Sequence, residues 1–259
     1  MFKVPIRTST VIPTALRGLV HTARIHTMDV VLTEPAPRTL QVLPHNQYHT
    51  TDALSPASVL PSPLDQFHAW FADAVEGGKV HEPEAMSLST ATPDGIPSAR
   101  IVLFKQLDAR GFVFFTNYTS RKSQELLANP HAALAFYWRE VHRSVRVLGR
   151  VEKITAEESA AYFKSRPVGS RLGAWASRQS TVVGEGEVFA RLDRLKERFG
   201  DSADAEIPLP DFWGGWRVVP SEVEFWSGKP SRLHDRVRYL QQPDSPDDHP
   251  VWKIDRLAP

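Results

Sequence analysis

Residues 85–116, AMSLSTATPDGIPSARIVLFKQLDARGFVFFT, decide the fold class. Met86, Leu88 and Thr90 alternate with polar neighbours, the period of a half-buried strand. Pro93-Asp94-Gly95 is turn chemistry, Ala99 to Phe104 is a second apolar run, Asp108-Ala109-Arg110-Gly111 turns again, and Phe112–Thr116 is a third run. Connections this short join antiparallel strands only, because a parallel pair needs a crossover of a dozen residues or more. The stretch therefore predicts a β-meander.

The flanks extend the pattern. Upstream, Ser62 as N-cap, Pro63 at the first helical position and Leu64, Phe67, Phe71 and Ala74 at helical spacing predict an amphipathic helix ending at Gly77-Gly78. Downstream, a short helix capped by Ser120 stops at Asn129-Pro130. Strands follow at Ala132–Trp138 and Ser144–Ile154, then a capping box, Thr155-Ala156-Glu157-Glu158, opens a helix to about Lys164. Val188, Leu192, Leu195 and Phe199 mark another amphipathic helix over 187–199, and strands return at Trp216–Val219, Val223–Trp226, Val237–Leu240 and Val251–Ile254. About seven strands with helices between them predict a mainly β protein: one antiparallel barrel with inserted helices, not a parallel α/β sheet.

Composition narrows the function. The 259 residues include no Cys, which excludes disulfide scaffolds, thiolate metal sites and a Cys nucleophile. No stretch approaches the roughly 20 apolar residues of a membrane helix. The net charge of +1 hides an asymmetry: between Arg100 and Arg178 there are 14 Lys and Arg against six Asp and Glu. A basic middle within acidic flanks points to an anionic ligand held locally. The first 28 residues carry no acid and several Arg, Ser and Thr, which suits a mitochondrial transit peptide and an untargeted leader equally, so a cytoplasmic or a mitochondrial location is expected. Six prolines between 33 and 63 read as extended linker. The expected division is a leader over 1–45, a linker and substrate lid over 46–62, and a catalytic domain over 63–259.

No Gly-x-Gly-x-x-Gly follows a strand, no phosphate-binding P-loop is present, and the ten His lack metal-ligand spacing. What remains is basic residues at strand ends and turns. Arg100 and Lys105 bracket an apolar strand and, five residues apart, leave opposite faces of it. Thr116 to Ser123 sets hydroxyls, Arg121 and Lys122 at a helix N-terminus, where dipole, backbone amides and charge favour a phosphate. Tyr162 and Arg166 share a helix face, with Ser170, Gln179 and Ser180 following. Strand alternation would put Arg232, His234 and Arg236 on one face, where three cations repel unless an anion faces them.

At these residues the chain resembles a known family. RIVLFK (100–105), FFTNYTSRK (114–122), YFKSRP (162–167), GAWASRQS (173–180), FWGG (212–215), EFWSG (224–228), RLHDR (232–236) and the terminal DRLAP (255–259) closely resemble the pyridoxamine/pyridoxine 5′-phosphate oxidases. The resemblance runs from about Asp65 to the last residue. It implies an FMN-binding split β-barrel, a homodimer with FMN at the subunit interface, and phosphorylated B6 vitamers and O2 as small-molecule partners, with no metal, nucleic acid or membrane. By position, Arg100, Ile101, Val102, Leu103, Lys105, Phe115, Thr116, Arg121, Lys122, Ser144, Gln179, Ser180, Trp226 and Arg236 would hold FMN. Lys105, Tyr162, Arg166, Ser170, Arg232 and His234 would hold substrate, with Arg232 and His234 as the catalytic pair. Three positions depart from the pattern: Ser144 stands where the family usually has Gln, Glu82 replaces a frequent Asp, and His45-Asn46-Gln47-Tyr48 keeps only the Tyr of the lid.

Two rivals have distinct signatures. An FMN oxidase for another amine or a phenazine-like substrate, with no phosphate to hold, would not need Tyr162, Arg166 and Ser170 together. A non-catalytic binder of FMN or nucleic acid would use the basic middle and, for nucleic acid, stack bases on Tyr118, Tyr137 and Trp138, which the predicted strands and turns assign instead to packing.

Overall fold

The computed structural model describes residues 32–33, 41–42, 47–48, 50, 53–246 and 249–259. The chain divides into two compact units, Met1–Gln47 and Tyr48–Pro259. In the first, Leu32–Thr33 pairs antiparallel with Gln41–Val42. The expected leader otherwise lies outside the described residues.

Among its described residues the second unit contains eight strands: β1 (Ala85–Ala91), β2 (Pro97–Asp108), β3 (Gly111–Asn117), β4 (His131–Trp138), β5 (Arg143–Lys153), β6 (Trp213–Ser227), β7 (Asp235–Gln241) and β8 (Trp252–Leu257). The sheet order is β8-β7-β6-β3-β2-β1-β4-β5, all antiparallel, and β5 also pairs with β6. That last pairing closes six strands into a barrel. The meander of residues 85–116 is β1–β3, as its turns require. Around it are α1 (Pro63–Glu76), α2 (Arg121–Ala128), α3 (Ala156–Ser165), α4 (Val168–Ala176) and α5 (Glu187–Phe199).

The barrel is filled by aromatic and branched side chains. Phe67 of α1 is 1% exposed, with its ring centroid 4.8 Å from Phe112, 5.0 Å from Phe136 and 5.4 Å from Phe104. Burying such a ring is worth about 2–3 kcal/mol, which makes α1 part of the core. A second cluster of Phe163, Leu172, Ile207 and Trp213 seats the helices that follow β5 against the barrel.

The strand β6 corrects the expectation of two strands at 216–219 and 223–226. It is one strand of 15 residues that changes partners along one edge, from β3 (Trp213–Val218) to β7 (Glu222–Ser227). Pro220 lies in the change-over, where neither neighbour pairs, so its missing N–H costs no bond on that edge. On the other edge Pro220 faces Gly149 at a register shift. A Cβ on Gly149 would lie 2.1 Å from the Val219 carbonyl oxygen, so only glycine permits this approach.

Caps follow the chemistry in most places. Ser62 accepts from the Asp65 amide at 3.3 Å, and the Thr155–Glu158 capping box is complete in both directions. Ser120 occupies the N-cap position of α2 without capping it; its hydroxyl instead accepts from Lys122 Nζ at 3.4 Å. The described residues between Tyr48 and Leu60 lie along β6 and β7. Thr50 Oγ1 donates to the Gly228 carbonyl at 2.5 Å, the Leu54 amide donates to Asp235, and Tyr239 donates to the Leu60 carbonyl. Among the described residues no helix is long and apolar enough to cross a membrane.

Candidate active site

A cleft of about 980 Å³ opens between β2, β3, the N-terminus of α2, the end of α3 and α4. It gathers eleven of the residues expected to hold cofactor, from Arg100 to Leu103, Lys105, Phe115, Thr116, Arg121, Lys122, Gln179 and Ser180, and adds Tyr162, Arg166 and Ser170 at the other end. Alternation along β2 leaves Arg100 half-buried and Lys105 exposed, on opposite faces as expected. The pairing register with β3 slips between Phe104 and Gln106, at Lys105, and both cations border the same cleft.

The cationic end is built by α2 against β1–β3. Lys122 is 7% exposed, and its Nζ donates to Gln179 Oε1 at 2.7 Å and Thr116 Oγ1 at 3.2 Å. No carboxylate pairs with it among the described residues. Burial, with a smaller contribution from the charge of Arg100, pushes its pKa down to about 8. Arg100 donates to Thr90 Oγ1 at 2.6 Å, Ser98 Oγ at 2.5 Å and the Leu88 carbonyl at 3.1 Å. Buried Glu125 accepts from Arg121 Nε at 2.8 Å, from Arg100 at 3.3 Å, from Ser98 at 2.6 Å and from Thr90.

The other end is an aromatic wall. Tyr162 stacks on Phe115 with centroids 3.8 Å apart and planes 19° from parallel, and Trp213 stacks behind Phe115 at 5.5 Å. Burial raises the Tyr162 pKa. Arg166 does not continue the helix with Tyr162, because Pro167 drives the preceding residue to extended geometry (φ −74°, ψ 148°) and ends α3 at Ser165. The guanidinium consequently lies over the Trp213 ring, 4.8 Å from its centroid, with Nη1 buried and unpartnered among the described residues. Burial lowers its pKa. The sequence pattern missed α4, whose Gly169 and Gly173 weaken a helical reading, and left Glu125 and Trp213 without a role. Glu125 was detectable from its i,i+4 spacing to Arg121.

The remaining expected residues lie elsewhere. Ser144, Trp226 and Arg236 border a second cleft of about 510 Å³, with Tyr48, Tyr137 and Glu224, which shares no lining residue with the first. Arg236 donates from Nε to Glu224 at 2.7 Å. The shared strand face expected for Arg232, His234 and Arg236 is not formed. The strand β7 begins at Asp235, while Pro230–Arg232 is a single tight turn in which Ser231 and Arg232 take φ of 56° and 61°. Pro230 starts that turn and interrupts the alternation. His234 packs 4.7 Å from the Trp226 ring, and its Nδ1 accepts from the Lys229 amide at 3.0 Å. That bond fixes the neutral tautomer with the proton on Nε2. Burial, then the charge of Arg232, lowers the His234 pKa.

Two family models cover this architecture in order: "Pyridoxamine 5′-phosphate oxidase" over residues 72–193, and "Pyridoxine 5′-phosphate oxidase C-terminal dimerisation region" over residues 213–259. A pyridoxine/pyridoxamine 5′-phosphate oxidase of Bordetella petrii is 54% identical over 213 residues, 82% of this chain and 97% of its own. The chain belongs to the pyridoxamine 5′-phosphate oxidase family. An oxidase of the same name from Nostoc punctiforme is 52% identical over 82% of this chain and 95% of its own. Among solved structures, PhzG from Burkholderia lata, in complex with tetrahydrophenazine-1-carboxylic acid, is 31% identical with a TM-score of 0.72, covering 80% of this chain and 98% of its own. The match to the dimerisation region contains Trp226, Arg232, His234 and Arg236, and it contributes Glu224, Trp226, Arg236 and Pro259 to the lining of the second cleft. Of the three aromatics a nucleic-acid binder would use, Trp138 is 1% exposed and Tyr118 lies over Gly214, leaving that glycine no room for a Cβ, but Tyr137 is 55% exposed, because it alternates onto the outer face of β4, and so departs from the packing expected of it.

Proposed function

We propose that this chain is an FMN-dependent oxidase that converts pyridoxine 5′-phosphate and pyridoxamine 5′-phosphate to pyridoxal 5′-phosphate. O2 is the acceptor, H2O2 is released, and the amine also yields ammonia. The observation that carries the reading is the first cleft, which joins a cationic end to an aromatic end with its own unpartnered guanidinium. Two separated cation groups suit two phosphates, one on a cofactor and one on a substrate. The residues fit FMN: the buried Lys122 ammonium has only neutral oxygens around it and Arg100 nearby, an arrangement that a phosphate dianion would stabilise. Bound flavin would supply the hydride acceptor, and the protein's part is to hold the substrate carbon against it.

Substrate phosphate would take Arg166, Tyr162 and Ser170, with the ring running back toward Lys105. Arg232 and the Nε2–H of neutral His234 would place the reacting carbon and stabilise charge that develops there. Since these two are not among the residues lining the first cleft, a complete site needs the Arg232 and His234 of another copy. FMN would then sit at the interface of a homodimer, between the first cleft of one protomer and Ser144, Trp226 and Arg236 of its partner. The greater identity to the B6 oxidases than to PhzG, together with Tyr162, Arg166 and Ser170 in one cleft, favours phosphorylated B6 vitamers over a phenazine-like substrate.

The direct test is flavin absorbance of the purified protein and aerobic formation of pyridoxal 5′-phosphate from each substrate; a yellow protein that makes none from either refutes the enzyme reading. The shared site has its own test. Arg166→Ala and Arg232→Ala lie in different half-sites, so subunit exchange between the two defective homodimers regenerates one intact site per heterodimer. Equal mixing should restore about a quarter of wild-type activity at limiting substrate. No recovery after verified exchange would place both residues in one protomer's site.

Titration of Lys122 gives a pH signature. Bound phosphate favours the ammonium form, so FMN affinity should be at its full value below pH 8 and fall above it, by at most about tenfold per pH unit. Flavin fluorescence quenching between pH 7 and 9.5 measures this, and Lys122→Arg should flatten the profile. A flat wild-type profile would mean that Lys122 does not meet the phosphate.

A further inference from the structure

Glu125 is the sole carboxylate that reaches the cationic end of the first cleft among the described residues, and charge alone makes it an odd occupant of a phosphate site. Its own chemistry explains its presence. Oε1 accepts from Arg121 Nε, while Oε2 accepts from Arg100 Nη2, Ser98 and Thr90. Its side chain is 6% exposed. Burial works to raise its pKa, but the hydrogen bonds from Ser98, Thr90, Arg121 and Arg100 together hold it at about 2, so it is ionised at any working pH.

The two arginines differ in what this leaves them. Arg100 is tied at both Nη atoms to β1, β2 and Glu125. Arg121 is held at Nε alone, its side chain is 61% exposed, and both Nη groups lack a protein partner among the described residues. A guanidinium pinned at Nε presents its remaining N–H groups in a fixed direction. Arg121 is the first residue of α2, whose N-terminus has no side-chain cap.

We infer that Glu125 is a positioning residue for the FMN phosphate, fixing Arg121 at the head of α2 and tying Arg100 to the β1–β2 hairpin. This rests on the FMN reading above. Two effects oppose each other in a Glu125→Gln variant. Loss of a negative charge favours phosphate, while loss of the anchor frees Arg121 and leaves donors facing an amide NH2. Glu125 is buried and accepts four hydrogen bonds, so loss of the anchor should dominate.

Riboflavin, which lacks the phosphate, separates positioning from mere support of the fold. In fluorescence titrations of the full chain, Glu125→Gln should weaken FMN by about tenfold or more while riboflavin affinity stays within about twofold. On an Arg121→Ala background the same substitution should have a smaller effect on FMN, because the residue it positions is gone. Equal weakening of both flavins would make Glu125 a structural residue only, and unchanged or tighter FMN binding would show that charge outweighs position; either result overturns the inference. A Glu125→Gln chain that does not fold passes the test to Glu125→Asp, which keeps the charge but shortens the reach. It should weaken FMN severalfold and spare riboflavin, with the same overturning outcomes. A wild-type chain that binds neither flavin refutes the FMN reading, and the inference falls with it.

Discussion

Replacing Arg166 by Ala should lower kcat/KM for both phosphorylated substrates by about 100-fold, mainly through KM, with FMN affinity unchanged. The guanidinium is half-buried over Trp213, and its buried Nη1 has no partner among the described residues. A substrate phosphate arriving there meets a donor that has little water to lose, which makes a charge-assisted bond strong. Because the bond is remote from the reacting carbon, it forms in the ground state and the transition state alike, which is why KM should carry the loss. The unphosphorylated alcohol, which brings no phosphate to this guanidinium, should be indifferent to the substitution. An unchanged KM would remove Arg166 from the substrate site, and parallel loss of FMN would show that the cleft is not divided as described.

Gly149→Ala should cost about 3 kcal/mol of stability and lower the thermal midpoint by about 6–12 °C. The added Cβ would stand 2.1 Å from the Val219 carbonyl oxygen and 2.8 Å from its carbon, and both obstacles are backbone. This is the seam where β5 meets β6 and the barrel closes, so relief would require separating paired strands. Thermal unfolding followed by circular dichroism measures the shift; a change below about 2 °C would mean that the seam is looser than its geometry implies.

The parts of the fold that were legible in the sequence are those where turn chemistry and period agree. Pro93-Asp94-Gly95 and Asp108 to Gly111 left the meander of β1–β3 no other reading, and Ser62-Pro63 fixed the start of α1. Where local signals pointed away from the tertiary solution, the reading failed. Pro220 splits β6 on paper, and only the change of partner from β3 to β7 makes a proline tolerable there. Pro230 breaks the alternation through which Arg232, His234 and Arg236 would share a face. The first cleft was legible as motifs whose residues the fold does bring together. That Arg232 and His234 do not line it was not, because strand pattern carries no information about which residues a second copy of the chain would supply. Glu125 was passed over because a glutamate on a short helix usually faces water, and its burial depends on β1 and β2.

The turn before β7 has an implication for how freely this chain can vary. Ser231 and Arg232 are consecutive L-residues in the left-handed region, each at a cost of about 1 kcal/mol that glycine would avoid. Drift toward stability alone would install glycine at either place. At Arg232 that change would relax the backbone and delete the side chain proposed to place the reacting carbon. With the role proposed for Arg232, the turn is a position where turnover and a robust fold make opposite demands on one residue, and the arginine stands against the local preference of its own backbone.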